Sequence, residues 1–323
     1  VSQAGDQRWS GAPHVDAARE SDLAREIAEH YPQLGRVAAR LAYSSVHDMV
    51  EVTADAGRFA VKLYRAGLRS PAEVQWEVDL HRHLLASGAP VARPHSGVNG
   101  FVELLHVDGA ARMAVLAEWA PGAKPSPGEH TFRLLGRAAA AIHAAADEFT
   151  STLPRVPRTV HTEVRQYVAR LRPLLEDVDR WDDAVAAAKT VERVLSSGLE
   201  RGICHADLTL DNVHIDGDTI TVFDFDNAAE HWRSWEPHGV YALSVITSRP
   251  WWDCWRAGYA EIRTMAEEDE RAVPYFQLMA EFEHTAWKLG LTPTSVAPSL
   301  RPDDLPGIVD GWTEWAHTQC AEL

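Results

Sequence analysis

Between Val213 and Phe223 two short apolar runs flank Asp216-Gly217-Asp218, in a part of the chain whose pattern is otherwise helical. A glycine between two aspartates is a tight-turn signal, so this segment must fold back as a β-hairpin. An antiparallel hairpin returns its two ends to the same place. Asn212 lies just before the first strand and Asp224 just after the second, which brings an amide and a carboxylate together at the open end. Two such oxygens suit Mg²⁺, a hard cation that takes few protein ligands and keeps positions for phosphate oxygens and water. Asp207, five residues before Asn212 on the same loop, would stand beside that metal as a carboxylate able to accept a proton. A metal clamp for phosphates and a base for a hydroxyl are what phosphoryl transfer requires.

The pattern around this segment sets the rest of the architecture. Residues 1–20 are polar and small and read as a flexible leader. Ser21 can cap a helix carrying Leu23, Ile27, Tyr31 and Leu34, with Gly35 as its stop. From Leu41 to Tyr64 the pattern alternates, with Met49, Val50 and Val52, then Phe59, Val61 and Leu63, on either side of Ala54-Asp55-Ala56-Gly57. That is a hairpin. Ser70-Pro71-Ala72-Glu73 is a capping box opening a helix whose Val74, Val78, His81 and Leu85 share a face. The apolar runs Gly100–Val107 and Met113–Trp119 complete an antiparallel sheet, and Ala120-Pro121-Gly122 interrupts the pattern. Beyond it, helices are expected over Phe132–Ala146, Glu163–Leu175, Ala184–Leu195 and Pro274–Leu289. The fold class is α+β: a small antiparallel β-rich lobe over 21–119, then a larger helical lobe over 120–323.

Composition narrows the partners. The formal net charge of −16 lacks the basic face that nucleic-acid phosphates demand. No apolar run approaches the ~20 residues of a spanning helix, so no membrane partner is expected. Cys204, Cys254 and Cys320 cannot all pair and show no metal-binding spacing, which indicates a reducing cytoplasm.

His205-x-Asp207-x4-Asn212 followed by Asp224 resembles the catalytic segment of the aminoglycoside phosphotransferase and choline kinase superfamily, relatives of the protein kinases. The resemblance implies a bilobal kinase-like fold, ATP with GTP left open, Mg²⁺, and a hydroxyl acceptor. It implies a catalytic role for Asp207, with His205 beside it, and metal ligation by Asn212 and Asp224. Phe59-Ala60-Val61-Lys62 is similar to the strand whose lysine meets the α- and β-phosphates, and Glu77 to the acid that pairs with it; Glu73 is a rival already engaged in the capping box. Ser44-Ser45-Val46-His47 corresponds to the loop over the nucleotide, and Ala114–Gly122 to the hinge, where the Glu118 carbonyl and the Ala120 N–H would meet adenine. Leu135-Gly136 through Ile142-His143 is similar to the helix that follows. The run around Lys62 is especially like the bacterial stress-response kinase A branch, which phosphorylates protein hydroxyls. One departure is that Val240-Tyr241-Ala242 stands where the family commonly has Asp-Leu-Ala, so the acid that braces the catalytic loop has no counterpart there.

His205 is better suited to holding the loop by backbone hydrogen bonds than to moving protons. Eight tryptophans beyond residue 230 could line an aromatic pocket, but Trp251, Trp252 and Trp255 fall at helical spacing, which favours packing. Asp226, Glu230, Glu236, Glu281 and Glu283 could meet a cationic substrate or be ordinary surface carboxylates. The leading expectation is phosphorylation of a small-molecule hydroxyl, on an aminoglycoside-like, amino-alcohol or nucleoside compound. A Ser or Thr hydroxyl of a protein or precursor peptide is the second, and a pseudokinase scaffold the third.

Overall fold

The computed structural model describes residues 17–107, 109–196, 198–296 and 298–320. The chain forms two compact units, one running through Val78 and including Arg93–Trp119, the other containing Asp79–Ala92 and everything from Ala120 onward. Most of the expected leader lies outside the described residues. Its last four, from Ala17, already belong to the first helix, so that helix opens ahead of Ser21.

In the first unit, helix α1 (Ala17–His30) precedes three strands, β1 (Val37–Ser44), β2 (Asp48–Ala54) and β3 (Gly57–Leu63). Helix α2 (Pro71–Ala86) follows, its residues through Val78 in this unit and the rest in the second, then β4 (Pro94–His95), β5 (Glu103–Val107) and β6 (Ala110–Glu118). The sheet is antiparallel in the order β1-β2-β3-β6-β4, and β5 also pairs with β6. Ala54 pairs with Gly57 across a two-residue loop, which fixes the register and puts Val50, Val52, Val61 and Leu63 on the core face beneath Leu23, Ile27 and Tyr31 of the α1 segment. The edge strand β1 gave little signal in the sequence, because Val37-Ala-Ala-Arg-Leu-Ala-Tyr-Ser is half-exposed and alanine-rich.

The second unit is helical: α3 (Glu129–Ala146), a π-turn at His161–Arg165 running into α4 (Gln166–Asp177), and α5 (Trp181–Leu195). Strands β7 (Arg201–Cys204), β8 (Val213–Asp216), β9 (Thr219–Val222) and β10 (Ala229–Trp232) follow. β7 pairs with β10 and β8 with β9, both antiparallel. Helices α6 (His238–Thr247), α7 (Trp251–Tyr259), α8 (Glu267–Lys288) and α9 (Leu305–Thr318) complete it. α8 starts seven residues before the expected Pro274. Its first turn, Glu267 to Glu270, is wholly acidic and complements the positive end of the helix dipole. Leu171, Leu175, Val191, Phe276, Phe282 and Val309 share one core. Among the described residues no helix is long and apolar enough to cross a membrane.

Candidate active site

The segment leaving β7 is built around one strained residue. Ala206 has φ +65°, a left-handed conformation that costs a non-glycine residue about 1–2 kcal/mol. Its N–H donates to Glu236 Oε1 at 2.7 Å, and its carbonyl accepts from the Trp235 indole at 3.0 Å. Glu236 is therefore the brace of this loop, in place of an acid at Val240-Tyr241-Ala242. It sits at the start of the same segment, buried, and faces the loop instead of solvent or a substrate. Its carboxyl is raised to about 7, chiefly by burial, against the pull of the Ala206 N–H.

His205 is fully buried. Its Nδ1 accepts the Asp207 N–H at 3.3 Å and its Nε2 donates to the Phe223 carbonyl at 3.0 Å, while the ring packs on Phe225 with centroids 4.6 Å apart. Both nitrogens are spent on backbone, so the ring ties the loop to the far end of the hairpin. Asn212 Nδ2 donates to the Asp207 carbonyl at 2.8 Å and to its Oδ2 at 3.0 Å. The Phe223 N–H returns to the Asn212 carbonyl at 3.0 Å, closing the open end of the β8–β9 hairpin. Asp224 follows in the left-handed region at φ 65°. Burial, and next the charge of Asp224, raise Asp207 to about 7, while hydrogen bonds from Asn212 and Asn227 pull the other way. The Asn212 amide nitrogen is committed to Asp207, which leaves its oxygen as the atom for a cation; with the Asp224 carboxylate this donor set fits a hard divalent ion.

The residues leading into this unit pack on the same hairpin. The Ala120 carbonyl is 2.8 Å from His214 Nδ1, and Ala123 and Ile215 exchange backbone hydrogen bonds of 3.3 and 3.0 Å. Gly122 (φ +79°) passes so near that an added Cβ would lie 2.1 Å from the Ile215 carbonyl.

In the first unit, Lys62 and Glu77 are both buried and form an ion pair of 3.1 Å, with Lys62 also 4.8 Å above the Tyr64 ring. Glu73 instead closes the capping box, accepting the Ser70 N–H and hydroxyl at 2.9 Å each. Ser44 and Ser45 form the β1–β2 turn, with the Ser44 hydroxyl on Asp48 and the Ser45 N–H on the His47 carbonyl. Glu118 ends β6 with its side chain on Arg93 and His95.

Of the groups near Asp207, the sequence offers Glu283 as a candidate for a cation but not Asn227, Arg158 or Glu163. Asn227, which hydrogen-bonds the Asp207 carboxylate, lies 3.5 Å from Arg158. Arg158 pairs with buried Glu163 at 3.4 Å, and the Tyr167 hydroxyl donates to Glu283 at 2.9 Å. Glu163 is raised by burial despite Arg158, and the Glu283 charge adds to the rise in both Glu163 and Asp207. For Asn227 the cue is its position three residues after Asp224. Of the other carboxylates weighed for a cation, Asp226 is buried, Glu230 pairs with Arg201, and Glu281 accepts from Gln277. The tryptophans pack: Trp255 is buried and stacked between Trp252 and Tyr259, and Trp232, Trp235 and Trp312 belong to the core.

Residues 38–273 match the model of the phosphotransferase enzyme family. The chain belongs to that family, which is the superfamily its motifs resemble. An amicoumacin kinase of Bacillus subtilis strain 168 is 27% identical over 224 residues, 64% of this chain and 66% of the relative. The fold is similar to a microcompartment-associated aminopropanol kinase (TM-score 0.69, 22% identity, 93% of this chain and 95% of the other). It is also similar to an amicoumacin kinase solved in complex with AMP-PNP, Ca²⁺ and Ami (TM-score 0.71, 19% identity, 94% and 96%).

Proposed function

We propose that the protein transfers the γ-phosphate of ATP to a hydroxyl group of a small, cationic molecule such as an amino alcohol. The observation that carries this reading is the contact of Asn212 with Asp207 at 3.0 Å at the open end of the hairpin that also carries Asp224. It sets a proton acceptor next to a divalent-metal donor pair, and little else is needed for a reaction dominated by positioning and charge. Asn212 and Asp224 would hold Mg²⁺. The ion, when bound, neutralises charge on the transferring phosphate. Asp207 accepts the hydrogen bond of the acceptor hydroxyl and takes its proton. Lys62, fixed by Glu77, supplies a cation to the nucleotide phosphates, while Ser44 and Ser45 cover them and the Glu118 carbonyl and Ala120 N–H take the base. His205 acts by holding the loop.

The cationic class rests on the excess of carboxylate around Asp207. Glu163 and Glu283 face one guanidinium, Arg158, whose nearest partner is already Glu163. A substrate ammonium would relieve that excess. The named relatives are kinases of small molecules, which favours such an acceptor over a peptide. The free thiols of Cys204, Cys254 and Cys320 fit a cytoplasmic location. Incubating the purified protein with Mg²⁺-ATP and amino alcohols, aminoglycosides, nucleosides and Ser/Thr peptides tests the proposal. Phosphorylation of amine-bearing alcohols is expected, and labelling confined to peptides would overturn it.

A further inference from the structure

Between α3 and the π-turn at His161, residues 150–159 run without helix or strand, and one side chain of this stretch reaches the site. Arg155 Nε donates to the Ala228 carbonyl at 2.6 Å, and its Nη2 donates to the Asp226 carbonyl. Both carbonyls belong to the short turn that follows Asp224, which the Ala228 N–H closes on the Phe225 carbonyl at 3.0 Å. Asn227, between the two gripped carbonyls, hydrogen-bonds the Asp207 carboxylate. One guanidinium therefore holds a turn that has Asp224 at its start and a partner of Asp207 inside it. The arm that carries Arg155 is itself fixed. Pro154 and Pro157 restrict the backbone on either side. The Arg158 N–H donates to the Glu230 carbonyl of β10 at 2.8 Å, and Arg201 of β7 donates to the Arg158 carbonyl at 2.5 Å. Val156 is exposed, so hydrogen bonds rather than apolar burial seat the arm at this point.

We infer that Arg155 is a positioning residue for the divalent ion: by gripping the Asp226 and Ala228 carbonyls it keeps Asp224 in its left-handed conformation and so fixes the carboxylate offered to the metal. A residue with a Cβ holds φ 65° only where the surrounding structure determines it, and the turn just after Asp224 is where Arg155 acts. The inference rests on the reading of Asn212 and Asp224 as metal ligands; the grip on the turn does not. Because one planar group holds two carbonyls, the shape of its fork matters as well as its charge, and a lysine ammonium cannot reproduce it.

The test compares the wild type with Arg155→Met, which keeps the apolar stem and removes the donors, and with Arg155→Lys, which keeps the charge. Calorimetry with ATP, with and without Mg²⁺, reads how much affinity the metal adds. In Arg155→Met that gain should fall about 10- to 100-fold, the usual effect of losing a group that orients a metal ligand, while ATP affinity without Mg²⁺ stays at the wild-type value. Hydrogen exchange in the peptide spanning 224–229 should quicken in the metal-free protein. Arg155→Lys should remain impaired in both measurements. An unchanged Mg²⁺ gain or unchanged exchange in Arg155→Met, an equal loss of affinity with and without the metal, or a Lys variant equal to wild type would each overturn the inference. Should Arg155→Met not fold, Arg155→Lys carries the same two measurements, and wild-type values in it overturn the inference. A wild-type protein whose ATP affinity does not respond to Mg²⁺ would defeat the metal reading of Asp224 and the inference with it. With that response intact, wild-type exchange in both variants removes Arg155 alone.

Discussion

At the scale of single residues, the site depends on groups whose roles are local and groups whose roles are not. Asp207, Asn212 and Asp224 could be found from spacing, because one hairpin of known geometry carries them. Glu236 could not, since its partner Ala206 is 30 positions away and only burial distinguishes it from any surface glutamate. The two aspartates should separate by role. Asp224→Ala should lose Mg²⁺-dependent nucleotide affinity together with turnover. Asp207→Asn should keep that affinity and lose about 10²- to 10⁴-fold in rate, the span of general-base removal. Calorimetry with Mg²⁺-ATP beside a transfer assay reads both, and the reverse pattern would exchange their roles. Glu103 in the first unit makes a second, independent case. Burial alone would raise it, but His30 at 2.7 Å and the backbone and side chain of Asn99 at 2.6 and 2.8 Å outweigh burial and hold it below the usual range. A depressed carboxyl contributes stability above its unfolded value, near 4.5, and loses it as pH falls through the folded value. Urea midpoints of the wild type should therefore drop more steeply below about pH 4.5 than those of Glu103→Gln, and parallel curves would remove Glu103 from the account.

Elements were legible where their ends carry stereochemical signals. The capping box of α2 appears in the structure as read, and the expected turns at Ala54–Gly57 and Asp216–Asp218 close as two-residue loops. Helices α6, α7 and α9 were harder to read, because tertiary packing decides them. α3 and α7 meet backbone to backbone at two glycines. A Cβ on Gly136 would lie 1.9 Å from the Trp255 carbonyl, and one on Gly258 1.9 Å from the Arg133 carbonyl. No rotamer can relieve a clash with a rigid carbonyl, so the helices would have to part and forfeit the packing of Phe132 on α3 against Trp251 on α7. Gly136→Ala and Gly258→Ala should each cost about 1–3 kcal/mol, as overpacking does, although alanine is the better helix former. Thermal melts of the two variants check this; midpoints at or above wild type would mean that the contact is not close.

For the whole molecule, the net charge of −16 argues against nucleic-acid partners but says nothing of where the charge gathers. Glu163 and Glu283 act electrostatically on Arg158, and Glu283 also acts on Asp207; no sequence pattern announces the group because it is drawn from four separate elements and turns. If it receives an ammonium, Glu283→Gln should raise the KM for a cationic acceptor about 1.5- to fivefold, the size of a partly exposed ion pair, and leave the KM for Mg²⁺-ATP unchanged. Added salt should act in the same direction. The Debye length falls from about 10 Å at 0.1 M to about 3 Å at 1 M, so a field summed from several carboxylates is screened while a short hydrogen bond to a neutral hydroxyl is not. Initial rates from 0.05 to 0.5 M NaCl, with an amino alcohol and with its uncharged diol analogue, separate the two. The acceptor KM should climb with salt for the amine alone, and the climb should flatten in Glu283→Gln. Equal slopes for amine and diol would show that the carboxylates around Arg158 do not read the acceptor's charge.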